Sequence, residues 1–217
     1  MISPTFCDKL GRVFRVKRLA PRHFYSIKSF YKRGIKGLLD KSFFLNFTDK
    51  ELKEVLGNKG AFFAGAYRGL RLVGLSALDA DADYGQKLRS FFNAESAENL
   101  DPTLPANPNL SLCPSNPVSS CNPLSPSFHI DPTLPVYEYS GVFVDAEFRR
   151  CGIADGIMKI IIDYAKNNLV PCYLCGVVQR GNTPSKNNFL SHGFVYVGDR
   201  KQDETYHFEY FALALTK

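Results

Sequence analysis

The residues Val144–Ala154 read VDAEFRRCGIA, and their types and spacing suit the binding of an anion. Arg149, two further residues, Gly152, one residue and the small Ala154 stand where a β-rich run hands over to a helical apolar repeat. The first turn of a helix leaves backbone N–H groups unpaired, and the helix dipole adds partial positive charge there. Gly152 lets a ligand approach the backbone closely, and Ala154 keeps the next turn open. The amides of Cys151, Gly152, Ile153 and Ala154, flanked by Arg149 and Arg150, make a cradle suited to a pyrophosphate. Taken alone, a glycine at this place is equally an ordinary N-terminal helix residue.

Other reactive side chains offer less. Cys172 and Cys175 have the spacing of half a zinc site or a redox pair, but residues three apart on a strand point to opposite faces. The histidines stand singly at 23, 129, 192 and 207. Both cysteines are therefore expected in the core, and no metal is expected. Cys151, at a helix N-terminus, is open to a lowered pKa; its neighbours explain it better as an amide donor.

The elements that must hold these residues follow from periodicity and punctuation. Arg12–Leu19 alternates apolar and basic residues, as a strand with one buried face does. Pro21 opens a helix in which Phe24, Ile27 and Tyr31 recur at helical spacing. Thr48-Asp49-Lys50-Glu51 is a capping box ahead of a helix ending at Gly57. The apolar runs 61–67 and 72–78 form a hairpin. Val136–Val144 is a strand, and from about Gly152 a helix carries Ile153, Ile157, Ile160, Ile161 and Tyr164 on one stripe. A strand at 173–178, a short helix at 183–191 and strands near 194–197 and 206–215 complete an α/β sandwich with a mixed sheet.

Between about 79 and 135 the pattern breaks. Nine of the 13 prolines lie between residues 101 and 135, and the pentapeptide DPTLP occurs at 101–105 and again at 131–135. Two copies of five residues cannot build a solenoid. The stretch reads as an irregular insertion, a candidate lid, with one helix at 84–92 ahead of it.

The 217 residues are 45% hydrophobic, 13% aromatic and 22% charged, which excludes a wholly disordered chain and suits one large domain. No apolar run approaches the roughly 20 residues of a membrane helix. The opening MISPTFCDKLGR lacks the pattern of a secretory signal. Six cysteines are too sparse for a disulfide scaffold, so a cytoplasmic, reducing setting is expected. Residues 9–41 carry a net charge of +10 while the rest of the chain sums to −4. Lys28, Lys32, Arg33 and Lys36 either face an anionic partner or form a solvated face. No nucleic-acid module motif accompanies them. Phe43, Phe44 and Phe47 read as core.

Arg149, Gly152 and Ala154 occupy the defining places of the acetyl-CoA-binding motif of the GNAT superfamily, and the segment resembles it. A second resemblance follows downstream in Asn182-Thr-Pro-Ser-Lys-Asn-Asn-Phe-Leu-Ser-His-Gly-Phe194, where Asn182, Ser185, Phe189, Gly193 and Phe194 fill the family's pattern without a gap. The element order is also the family's. The resemblance spans residues 12–217 apart from the insertion. It implies a single GNAT-like domain over 1–217, a mostly antiparallel sheet with helices on both faces, and the insertion between the third and fourth strands.

The resemblance further implies an acetyl-CoA-dependent N-acetyltransferase acting on a small-molecule or peptide amine, without metal, membrane or nucleic acid, as a monomer or homodimer. The amides of residues 149–154 would hold the pyrophosphate. The backbone of Phe143 and Val144 would pair with the pantetheine arm, Asn182 would bind that arm, and Phe189 would complete the cofactor site. Glu138 lies eleven residues before Arg149, the offset of the catalytic glutamate in the histone-acetyltransferase branch, and is the expected general base, with its pKa raised by partial burial. Its other reading is a salt-bridged or edge carboxylate. Asp145 is a second candidate base, or a cap of the cradle. The family often has Tyr where this chain has Phe189, so the proton for the leaving thiolate must come from water or from Tyr137, Tyr139 or His192. That departure keeps open an acyl-CoA-binding module with little transferase activity.

Overall fold

The computed structural model describes residues 5–36, 48–58, 60–79, 131, 133–201 and 207–216. The expected helix at 84–92, the aromatic group Phe43, Phe44 and Phe47, and nearly all of the Pro-rich insertion lie outside these residues.

In chain order the elements are β1 (Thr5–Cys7), β2 (Val13–Leu19), α1 (Phe24–Lys36), α2 (Asp49–Gly57), β3 (Phe62–Arg68), β4 (Arg71–Asp79), β5 (Val136–Val144), α3 (Ile153–Asn168), β6 (Cys172–Gln179), α4 (Thr183–Ser191), β7 (Val195–Lys201) and β8 (His207–Leu215). The sheet has eight strands in the order β1-β2-β3-β4-β5-β6-β8-β7. Every neighbouring pair is antiparallel except β5 and β6, which run parallel. Among the described residues the insertion therefore joins the fourth strand to the fifth rather than the third to the fourth. The shift comes from β1, whose three residues are too short to show alternation in the sequence.

Local signals built the elements as expected. Thr48 Oγ1 accepts from the Glu51 amide at 3.2 Å, and the Glu51 carboxylate accepts from the Thr48 amide at 2.8 Å, closing the capping box. Gly69, at φ +58°, turns the chain between β3 and β4.

Strand alternation sorts the apolar side chains onto two faces. On one, Val16, Phe62, Ala64, Leu78 and Tyr139 pack against Ile153, Ile157 and Ile161 of α3 and Phe189 of α4. On the other, Leu19, Phe63, Leu75 and Ala77 pack against Phe24, Ile27 and Phe30 of α1 and Leu52 and Leu56 of α2. Each face buries a core of its own. Tyr31 sits beside the second core only partly buried, which leaves it at the edge of the functional cleft.

The centre of the sheet is irregular in two linked ways. Leu75 of β4 pairs with Phe143 and Ala77 with Ser140, so Gly141 and Val142 of β5 together oppose Ser76 alone. Such a bulge bends its strand and increases the local twist. The pairing of β5 with β6 runs only through Val136↔Tyr173, Tyr137↔Leu174 and Glu138↔Cys175. Beyond Glu138 the two strands part, and β6 continues against β8 as far as Gln179↔Phe208.

Candidate active site

The cradle forms at the end of β5. The chain enters the left-handed region twice in three residues, at Arg150 (φ +61°) and Gly152 (φ +74°), before α3 begins. The second position favours glycine; the first is unusual for an arginine. The first backbone bond of α3 runs from the Gly156 amide to the Gly152 carbonyl at 2.9 Å. Among the described residues no acceptor takes a hydrogen bond from the amides of residues 150–155. Those donors converge at the positive end of a 16-residue helix, the arrangement that binds phosphate. The side chains of Arg149 and Arg150 are exposed beside them. Phe6 packs under this turn so closely that a β-carbon at Gly156 would lie 2.8 Å from its ring. The short β1, which carries Phe6, therefore supports the cradle.

Asp145 has a structural role here. Its side chain caps no helix. It is buried, its amide donates to the Val73 carbonyl at 2.9 Å, and its carboxylate is held by Arg71 at 2.9 Å and Arg33 at 3.4 Å. Arg33 also donates to the Leu72 carbonyl. These bonds tie α1 to β4 and to the turn after β5, and they engage a carboxylate considered as a base. They also turn one cation of the basic block inward; another, Lys28, pairs with Asp49.

Cys151 is buried, with Arg12 Nη2 at 2.7 Å from its sulfur. Burial, followed by the contact with Asp8, pushes its thiol pKa up, against the lowering that its helix N-terminus suggests. Cys172 and Cys175 belong to cores on opposite faces of β6. Burial raises their pKa values to about 11 and about 12, Cys175 also sensing Glu138.

Two hollows meet along β5. One, of about 40 Å³, lies between Phe30, Arg33 and Gly34 of α1 and the stretch Phe143 to Ala146, with Arg149 at its edge. The other, of about 130 Å³, holds Glu138 among side chains from α1, α2, β3, β4 and β5. Phe143 lines both. Phe143 thus stands between them, with Arg149 at one end of this stretch of β5 and Glu138, in the last β5–β6 pair, at the other.

The second motif sits on the opposite face. Asn182 is the N-cap of α4, and its Oδ1 accepts from the Ser185 amide at 3.3 Å. That bond uses Oδ1 as acceptor, and the side-chain amide keeps Nδ2 as a donor group. Phe189 is 3% exposed, with its ring stacked on Phe211 and edge-on to Tyr139 and Phe194. Of the substitutes for a missing Tyr hydroxyl, Tyr137, Tyr139 and His192 line neither hollow. Tyr139 is buried against Phe189, and burial raises its pKa. His192 Nε2 lies 3.0 Å from the Asp155 carboxylate but makes no hydrogen bond among the described residues.

Asp79 escaped the sequence reading. It ends β4 directly opposite Glu138 and lines the same hollow. Only the register of the two strands brings it there, and no local pattern announces that register.

Fold and cradle define the GNAT class of acetyltransferase folds. The model of the acetyltransferase (GNAT) family matches residues 121–194, the stretch that holds both motifs, and the resemblance drawn from them is borne out. No curated protein matches the sequence. The GNAT domain of PAT from S. lividans superposes with a TM-score of 0.61 at 13% identity, covering 97% of each chain. The ribosomal-protein-S18-alanine N-acetyltransferase of Escherichia coli superposes with a TM-score of 0.57 at 10% identity, covering 94% of this chain and 95% of that one. A structure from Salmonella typhimurium, described as a proposed acetyltransferase with its cofactor acetyl-CoA, gives 0.59 at 12%, with 94% and 95% covered. At such identities these likenesses establish the fold.

Proposed function

We propose that this chain is a single-domain N-acyltransferase that moves an acetyl group from acetyl-CoA to a primary amine by direct attack on the thioester. The observation that carries this reading is the pair of hollows along β5 that share Phe143, one reaching Arg149 and the other Glu138 at the last β5–β6 pair; we take them as one trough for the cofactor arm. The amides of Cys151, Gly152, Ile153 and Ala154, with Arg149 and Arg150, hold the pyrophosphate. The edge of β5 at Phe143 and Val144, left without β6, offers backbone groups to the pantetheine arm. Asn182 donates to that arm through Nδ2, and Phe189 forms the apolar floor beneath the thioester.

The chemistry asks one thing first: an ammonium must lose a proton before its nitrogen can attack. Glu138, half-buried in the hollow, takes that proton. The nitrogen then bonds to the acetyl carbon, the C–S bond breaks, and the sulfur leaves as a thiolate that is protonated to the thiol. Phe189 stands where the family often has Tyr and can donate no proton, so water supplies that last one. We place the protein in a reducing, cytoplasmic setting on its cysteine content, which is too sparse for a disulfide scaffold.

Thermal unfolding with acetyl-CoA tests the binding half of this reading. At about 100 times Kd the ligand adds roughly 2.7 kcal/mol. For a chain of this size that is a rise on the order of 5–10 °C in Tm. No shift with any CoA species overturns it. Thiol release that depends on added amine tests the transfer half. The Phe at 189 favours a second reading, a CoA-binding module without turnover, and a saturable Tm shift with no amine-dependent thiol release would select it.

A further inference from the structure

We infer that Arg12 is a positioning residue for acetyl-CoA: it holds the strained turn at 149–152 in the shape that presents its amides to the pyrophosphate. The inference rests on the cofactor site read above and concerns the same cradle. Arg150 adopts a left-handed backbone, φ +61°, that a residue with a β-carbon rarely takes. Such a conformation persists only where the surroundings over-determine it, and it clusters where ligands are gripped. Here the contacts that fix it come from the β1–β2 hairpin.

Arg12 touches the turn on both sides of Arg150. Its guanidinium carbon lies 5.6 Å from the centre of the Phe148 ring, and its Nη2 donates to Cys151 Sγ at 2.7 Å. The Cys151 thiol in turn donates to the Arg149 carbonyl at 3.4 Å, closing the chain around Arg150. Arg12 is itself held. The Asp8 carboxylate accepts from the Arg12 amide at 2.8 Å, from Arg12 Nε at 2.6 Å and from the Leu10 amide at 2.9 Å. The Asp8 side chain is only 4% exposed, which sets this pair apart from a loose surface bridge. A guanidinium can brace both partners because Nε and Nη2 are separate donors in one rigid plane. A lysine ammonium carries the same charge on one atom and cannot form that fork. Without the fork the turn relaxes towards negative φ, and the amides have to be reordered as the pyrophosphate arrives, which weakens binding.

The test measures Kd for acetyl-CoA by titration calorimetry on the full chain, well below the Tm of every variant. Arg12→Lys keeps the charge and breaks the fork, and is expected to raise Kd about 10-fold, or about 1.4 kcal/mol. Cys151→Ala leaves the Asp8–Arg12 pair and the amide of residue 151 in place, and should raise Kd about 5-fold. Leu215→Ala controls for lost stability alone. It removes a core side chain paired with the start of β6, at the end of the sheet away from the cradle, and Kd should stay within about 2-fold. An unchanged Kd in Arg12→Lys or Cys151→Ala, or an equal loss in Leu215→Ala, overturns the inference while cofactor binding stands. If the wild type binds no acetyl-CoA, the cofactor reading falls and takes the inference with it.

Discussion

The ring of Phe189 lies against Gly176 so closely that a β-carbon at residue 176 would sit 2.3 Å from both Cε1 and Cζ. Gly176 is the first β6 residue beyond the last pair with β5. The packed ring of Phe189 therefore touches β6 where that strand leaves β5. Gly176→Ala should cost about 1–3 kcal/mol by overpacking and lower Tm by on the order of 5 °C. Adding Phe189→Leu should recover part of the loss, and a double variant whose losses simply add would contradict the contact.

The position of Cζ also governs the missing acid. A tyrosine at 189 would carry its hydroxyl from that carbon, at the place where β5 and β6 part. Phe189→Tyr is expected to raise kcat several-fold through protonation of the leaving thiolate, at some cost in Tm from a hydroxyl added to a packed core. Steady-state thiol release measures it. A flat or reduced rate in a folded variant would show that no proton is wanted from this position.

Glu138→Gln keeps the shape of the side chain and removes the base. Near neutral pH, kcat should fall by about 10²-fold or more, and the acid limb of the pH–rate profile should flatten. The acetyl-CoA-induced Tm shift should survive, because the cradle lies at the other end of the trough. An unchanged pH–rate profile would remove Glu138 from the mechanism.

Asp145→Asn separates a structural carboxylate from a catalytic one. The buried side chain holds Arg71 and Arg33, so neutralising it should cost about 1–3 kcal/mol. The shape of the pH–rate profile should stay as in the wild type. A lost acid limb with Tm intact would reverse the assignment.

Acid stability should report the β1–β2 turn that carries Phe6 to the cradle. Burial works against ionisation of Asp8, yet hydrogen bonds from the Arg12 backbone and side chain and from the Leu10 amide hold its pKa down at about 2, against 3.8 ordinarily. A carboxyl group depressed in the folded state stabilises above its unfolded pKa, and that contribution is lost as pH falls through the folded value. The Tm gap between wild type and Asp8→Asn should be full above about pH 5, shrink below that, and close only as pH falls below about 2. A gap constant over that range would mean that the ion pair with Arg12 contributes nothing.

Much of this protein was legible in the order of its residues, because the relevant physics is local. The Thr48–Glu51 capping box, the isoleucine stripe of α3 and the β-rich run Val136–Val144 depend on neighbours within a turn or a strand, and each formed where its pattern lies. The cradle was legible for the same reason, since a helix N-terminus and the glycine before it adjoin in sequence. What the sequence could not decide depends on register and distance. Asp79 meets Glu138 only through the pairing of β4 with β5, which passes a bulge where Gly141 and Val142 oppose Ser76. Asp145 became a buried anchor only when α1 and β4 brought Arg33 and Arg71 to it. Glu138 stands at the last β5–β6 pair because β5 leaves β6 there, while β6 stays with β8. Local propensity can specify a strand and the face each side chain takes, but which strands separate, and which charges then share a cavity, is settled by the packing of the whole sheet against its helices.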